Sequence, residues 1–176
     1  MAIRKRSIQP CIWQDPDFGT LSPIAQLIFI GLITQADDEG RFNGHPAVIR
    51  SQLFPYSTVD LDQVVDALDE LIRRMHNVVY YELNGQFYGQ FLRWKNHQVL
   101  REDRLQPSLY PAPPKSLMTG RCPASDGQPG TEGKGREVSK GSKEGTLKNY
   151  PQGEHPLDKI RRQLEEKGIL KKTKLI

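Results

Sequence analysis

The stretch VVYYELNGQFYGQF, residues 78 to 91, constrains this chain more than any other, because Asn-Gly between two β-rich runs selects a two-residue type I′ turn. The turn sets the register of both strands: Leu83 faces Gln86, Tyr81 faces Tyr88, and Val78 faces Phe91. One side of the hairpin then carries Val78, Tyr80, Phe87 and Phe91 and suits a core. The other carries Tyr81, Tyr88 and Gln90 and is expected to be the wetter side.

Three helical patterns precede the hairpin. Ser22 before Pro23 supplies an N-cap and a first helical residue whose φ is already set, predicting a helix from about 23 to 36. Ile24, Leu27, Ile28, Phe29, Ile30, Leu32 and Ile33 cover most of its circumference, which predicts a nearly central position in the core. Asp37, Asp38, Glu39 and Gly40 stop it in a polar turn, and Arg41 and Phe42 allow a very short strand before Asn43-Gly44. His45-Pro46 opens a shorter helix with Val48, Ile49, Leu53 and Phe54 on one side, ended by Pro55. The third helix, DLDQVVDALDELIRR at 60 to 74, is the most regular: Leu61, Val64, Val65, Leu68, Leu71 and Ile72 make a single apolar face on a 3.6-residue period. Asp60 and Asp62 sit at the positive end of its dipole, Arg73 and Arg74 at the negative end.

Helix, short strand, helix, helix, strand, turn, strand is the order of a winged helix-turn-helix, so the expected fold is α+β: a winged helix-turn-helix domain over residues 1–110. Beyond it, residues 111–155 are expected to be a disordered linker. Residues 111 to 156 hold eight Gly and seven Pro with scarcely an aliphatic residue, too little apolar surface to offset the entropy of ordering. The last segment, 156–176, is read as a short basic helix and tail, with Leu157, Ile160 and Leu164 helically spaced, Gly168 as its stop, and too few residues to be stable alone.

Charge follows the same division. Residues 1 to 100 hold 9 Lys and Arg against 11 Asp and Glu, whereas residues 101 to 176 hold 16 against 10, so the formal net charge of +4 belongs to the second part. The two cysteines, Cys11 and Cys122, have no metal-like spacing, which fits a reducing cytoplasm. The longest apolar run, IAQLIFIGLI at 24 to 33, is about half of the roughly 20 residues needed to cross a bilayer, and no signal-peptide pattern opens the chain. The expected location is therefore the cytoplasm of a bacterial host, with no membrane partner.

Several blocks in order, IRKRSIQPCIW, LSPIAQLIFIGLITQADDEGRF, IRSQLFPY, YYELNGQFYGQF and WKNHQ, resemble the N-terminal domain of phage replication-initiation proteins, the replisome-organiser or DnaD-like winged helices. The resemblance covers roughly residues 1 to 110. It implies a phage or prophage protein that assists replication initiation, binding DNA and/or recruiting replication proteins such as a helicase or its loader.

A winged helix usually offers its third helix to the major groove and its hairpin as the wing. Here that helix would present Asp62, Asp66, Asp69 and Glu70 to a duplex carrying about one negative charge per 1.7 Å, so lengthwise insertion is unfavourable. Only Arg73 and Arg74 at its end, with Gln63, suit base or phosphate contacts. The better DNA candidates are a basic arm, Arg4, Lys5 and Arg6, and a segment after the hairpin in which Arg93, Lys95, His97, Arg101 and Arg104 surround Trp94. Trp94 is read either as a ring for base stacking or as core or hairpin-edge packing, and His97 as a surface or capping histidine. Asp62, Asp66, Asp69 and Glu70 also form a candidate surface for a basic partner, a second copy of the protein as a homo-oligomer, or a host replication factor, unless they are simply solvated. Ile160, Arg161, Arg162 and Leu164 make the terminal helix a candidate DNA clamp or partner peptide.

The four histidines are scattered and no nucleotide-binding or nucleophile motif occurs, so no enzyme, metal or cofactor is expected. The alternatives to a replication accessory protein are a winged-helix transcriptional regulator and a protein-interaction adaptor that binds no DNA.

Overall fold

The structure is a computed structural model that describes residues 5–118 and 155–170. Its first elements are a single 3-10 turn, Pro10–Gln14, and a short helix α1 (Pro16–Gly19), whose N-cap Asp15 accepts the Asp17 N–H at 2.9 Å. Helix α2 (Pro23–Gln35) starts where expected, with Ser22 Oγ accepting the Ala25 N–H at 3.4 Å. Ala25, Ile28, Phe29, Leu32 and Ile33 are buried, but Leu27 is 54% exposed, so α2 is central without being enclosed on all sides. Strand β1 (Arg41–Asn43) follows the acidic turn, and α3 (Pro46–Leu53) begins on a histidine cap: His45 Nδ1 accepts the Ala47 N–H at 3.2 Å.

Helix α4 (Leu61–Arg74) has the cleanest local code in the chain. Asp60 and Gln63 form a reciprocal capping box, with bonds of 2.9 and 3.0 Å between each side chain and the other residue's N–H. Val64, Val65, Ala67, Leu68, Leu71 and Ile72 are buried, and this face packs on α2 and α3.

Strands β2 (Val78–Leu83) and β3 (Gln86–Phe91) pair in the register required by the turn, with Leu83 opposite Gln86, Tyr81 opposite Tyr88 and Val78 opposite Phe91. Asn84 at φ 52 and Gly85 at φ 74 supply the two positive dihedrals of a type I′ turn. Strand β1 adds to the other side of β3, so the antiparallel sheet runs β1-β3-β2 and the hairpin is tied to the segment that joins α2 to α3. The inward residues Val78, Tyr80, Phe87 and Phe91 join the helices in one core, where Phe91 meets Phe29 and Phe42 at ring separations of 5.5 and 5.3 Å.

The opposite hairpin face is the first correction, because it is not wet. Tyr81 is 1% exposed, and Val79, Tyr81 and Leu92 form a second small core joined by Leu83, Tyr88 and Leu117. A strap over residues 105–118, ending in the short helix α6 (Lys115–Met118), lies across it. The strap follows the four-residue helix α5 (Trp94–His97) and a 3-10 turn at Glu102–Arg104. Tyr81 donates its hydroxyl to Pro111 O at 2.7 Å, Arg41 Nη1 donates to Tyr110 O at 2.9 Å, and the rings of Tyr88 and Tyr110 lie 6.0 Å apart. Burial pushes the Tyr81 hydroxyl up to about 12, opposed by Arg41 and reinforced by Asp37, and raises Tyr110 for the same first reason. Residues 111–117 of the expected linker therefore lie over the sheet, through the Pro111 carbonyl and the Leu117 side chain rather than through an aliphatic run. Residues 119–154 lie outside the described residues.

Helix α7 (Pro156–Glu166) returns to the domain and packs on α4 and β2. Its start repeats that of α3, with His155 Nδ1 accepting the Leu157 N–H at 3.3 Å. Leu157, Ile160 and Leu164 are buried in the main core, together with Leu170 beyond the Gly168 stop at φ 66.

Candidate functional site

Two of the expected basic regions meet. The side-chain amide of Gln98 grips the backbone of Ser7 in both directions, accepting its N–H at 3.0 Å and donating to its carbonyl at 2.8 Å. The N-terminal segment is thereby held against α5 and its flanks. Arg6, expected in a DNA-binding arm, points inward instead: its guanidinium meets Asp38 at 2.8 Å with both side chains 4% exposed. Its Nε donates to Ala36 O at 3.1 Å, and the group lies 5.6 Å from the Trp94 ring centroid. A guanidinium buried among these partners has no free donor face for a phosphate. Of the arm, Lys5 is exposed and Arg4 lies outside the described residues.

Trp94 is packed rather than offered. It is 5% exposed, stacked on Phe91 at 5.5 Å and 23°, and its ring fills the space beside Gly40. Gly40, at φ 76, has Trp94 Cγ only 2.7 Å from where a Cβ would stand, so both backbone and packing require glycine there. The stacking role therefore passes away from Trp94. Among the described residues the exposed large aromatic rings are Trp13, 66% exposed, and Tyr56, fully exposed in the turn before α4. Neither was singled out from sequence. The signal at Tyr56 was its place between Pro55 and the Asp60 cap, a turn too short to fold a ring inward.

What the segment after the hairpin does present is charge. The cations Arg93, Lys95, Arg101 and Arg104 are all exposed, as is His97 among them, and Arg104 is paired with Asp103 at 3.7 Å. Arg93 adopts φ 53 at the start of α5, which turns the chain sharply out of β3. Arg93 and Lys95 border an open groove whose other side is formed by Glu39 and the strap at Leu105–Pro107.

The acidic turn is a hub that sequence reading took only as a helix stop. Asp37 Oδ1 accepts the Glu39 and Arg41 N–H groups, both at 2.9 Å, while its other oxygen accepts the Ser108 hydroxyl. Asp38 accepts Arg6 on one oxygen and the Gln106 N–H, at 3.0 Å, on the other. The turn thus ties the N-terminal segment and the strap to the end of α2.

The acidic face of α4 is largely committed. Asp69 pairs with Arg73 at 2.7 Å, and Glu70 pairs with Arg74 at 3.5 Å and accepts the Ser22 N–H at 3.0 Å. Arg73 and Arg74 are thereby engaged along their own helix, each about half exposed. Asp66 meets Arg161 of α7 at 2.6 Å, and Lys159 of α7 reaches Glu82 of β2 at 2.7 Å. Asp62 is half-buried. The basic partner expected for this face is thus, in part, the chain's own last helix, and Ile160 and Leu164, expected to meet an external partner, are 1% and 4% exposed within the same core. Arg162 is exposed, 4.0 Å from Glu166.

Among the described residues no group of three or more His, Cys, Asp or Glu is placed to hold a metal ion, and no helix is long and apolar enough to cross a membrane. Comparison with protein-family models, with curated proteins and with solved structures gave no match.

Proposed function

We propose that this chain is a winged-helix accessory protein of DNA replication initiation, of phage or prophage origin, that has no catalytic activity and meets DNA weakly through the exposed cations following its hairpin. The observation that carries the reading is the division of charge. The cations Arg93, Lys95 and Arg101 stand exposed beside the hairpin, with His97 among them, while the helix that would enter a major groove is acidic outside and bridged at Asp66 by Arg161 of α7. Phosphate attraction without a groove-reading helix supports sequence-indifferent binding. The element order α2, β1, α3, α4, β2, β3 supports the winged helix, and the resemblance of residues 1–110 to replisome organisers supports the replication setting and a helicase or its loader as partner.

Anisotropy titrations of the full chain against single- and double-stranded oligonucleotides of unrelated sequence, at several salt concentrations, test this. Binding should fall steeply with salt and vary little with sequence. Tight preference for one duplex would favour the transcriptional regulator. The covering of α4 by a helix of the same chain favours a second reading, an adaptor, for which no binding would appear near physiological salt.

A further inference from the structure

The groove between α4 and β2 holds a helix whose contacts define what the groove accepts. Leu157, Ile160 and Leu164 enter it at i, i+3 and i+7, with exposures of 2%, 1% and 4%. Lys159 and Arg161, at i+2 and i+4, are met by Glu82 and Asp66. Eleven residues are too few for a helix to persist alone in water, so α7 owes its helicity to this surface. The occupant is also imperfectly matched. Lys159, Arg161 and Arg162 are offset by Asp158, Glu165 and Glu166, leaving the helix without net charge on a receptor that presents Asp66 and Glu82. A helix with the same three aliphatic positions and more cations would bind the acidic receptor better.

We propose that the α4–β2 groove is a docking site for a basic amphipathic helix of another protein, and that α7 holds it closed until such a helix displaces it. A second copy of the chain is the weaker occupant, because its α7 would remake the same contacts with the same acidic residues and gain nothing over closure within one chain. The proposal does not depend on DNA binding.

The probe is a labelled peptide of residues 155–170 in which Asp158, Glu165 and Glu166 are replaced by lysine, titrated against the full-length protein by anisotropy. Targets are the wild type, Ile160→Asp, and the pair Lys159→Glu with Arg161→Glu, which weakens closure while leaving the apolar contacts and hence the fold in place. The peptide should bind both weakened chains about tenfold more tightly than the wild type, because the groove is then open for a larger fraction of the time. Adding Asp66→Lys and Glu82→Lys to Ile160→Asp should abolish binding. The proposal is overturned if the peptide fails to bind the charge-altered chain while circular dichroism shows that chain folded, or if it binds all chains equally. It is also overturned if light scattering finds the wild type dimeric through exchanged α7, which would make the second copy the occupant.

Discussion

Asp38 is 5% exposed, an extreme position for a carboxylate, and it is tolerable because Arg6 and the Gln106 N–H satisfy both oxygens. Removing one member of a buried pair leaves the other charge unmatched, at a typical cost of about 3–5 kcal/mol. Arg6→Ala or Asp38→Ala should therefore lower the urea midpoint strongly, whereas Arg6→Met with Asp38→Leu should recover much of the loss; equal destabilisation by single and double variants would refute the assignment. His45 gives a second residue-scale test. Its Nδ1 accepts a backbone N–H only when neutral, and burial, with Lys167 nearby, lowers its pKa below the usual 6.5. The folded state then binds the proton less readily than the unfolded chain, so this contribution is complete above 6.5 and is lost as pH falls through the lowered folded value. Unfolding measured from about pH 8 down to pH 5 should show a stability loss that is smaller in His45→Asn, which caps without titrating in that range.

At the scale of elements, α4 and the hairpin form for local reasons and α7 for tertiary ones. The capping box at Asp60 satisfies donors that the helix itself cannot, so Asp60→Ala should cost about 1 kcal/mol, read as a shifted thermal midpoint. Both the helix and the hairpin register were legible from sequence because a 3.6-residue period and an Asn-Gly turn each act within a few residues. The strap was not legible. Its hold on the sheet comes largely from the backbone carbonyls of Tyr110 and Pro111, groups present in any sequence, and a lone serine at 108 follows no helix or strand period, so residues 105–118 read as a loop until Tyr81, Arg41 and Asp37 are seen beneath them.

Over the whole described structure, exposed cations cluster on the segment after the hairpin, while Asp66, Asp69, Glu70, Arg73 and Arg74 of α4 are paired. Each phosphate neutralised contributes about 0.9 to the slope of log affinity against log salt. Lys95→Ala with Arg101→Ala should accordingly weaken binding to every sequence alike and flatten the salt dependence, with unfolding unchanged because both side chains are exposed. Unaltered DNA affinity in that variant would remove the segment from the interface. Leu164→Ala should behave oppositely, lowering stability by about 2–5 kcal/mol through a cavity between α7 and α4 while sparing DNA contacts.

By itself the sequence determined what short-range chemistry governs: the helix of 61–74 with its caps, the hairpin with its register, the element order and the place of the cations after residue 92. Only the tertiary structure decided which charges are free. Arg6 read as a cation open to DNA and became an interior group once a turn 32 residues away brought Asp38 to it, and of the two readings of Trp94 the stack on Phe91 selected packing over base contact. Asp66 read as an open acid until Arg161, 95 residues on, reached it. A charge pattern along the chain records side-chain type, whereas availability depends on what folds opposite, and opposition between distant residues is set by packing the whole core.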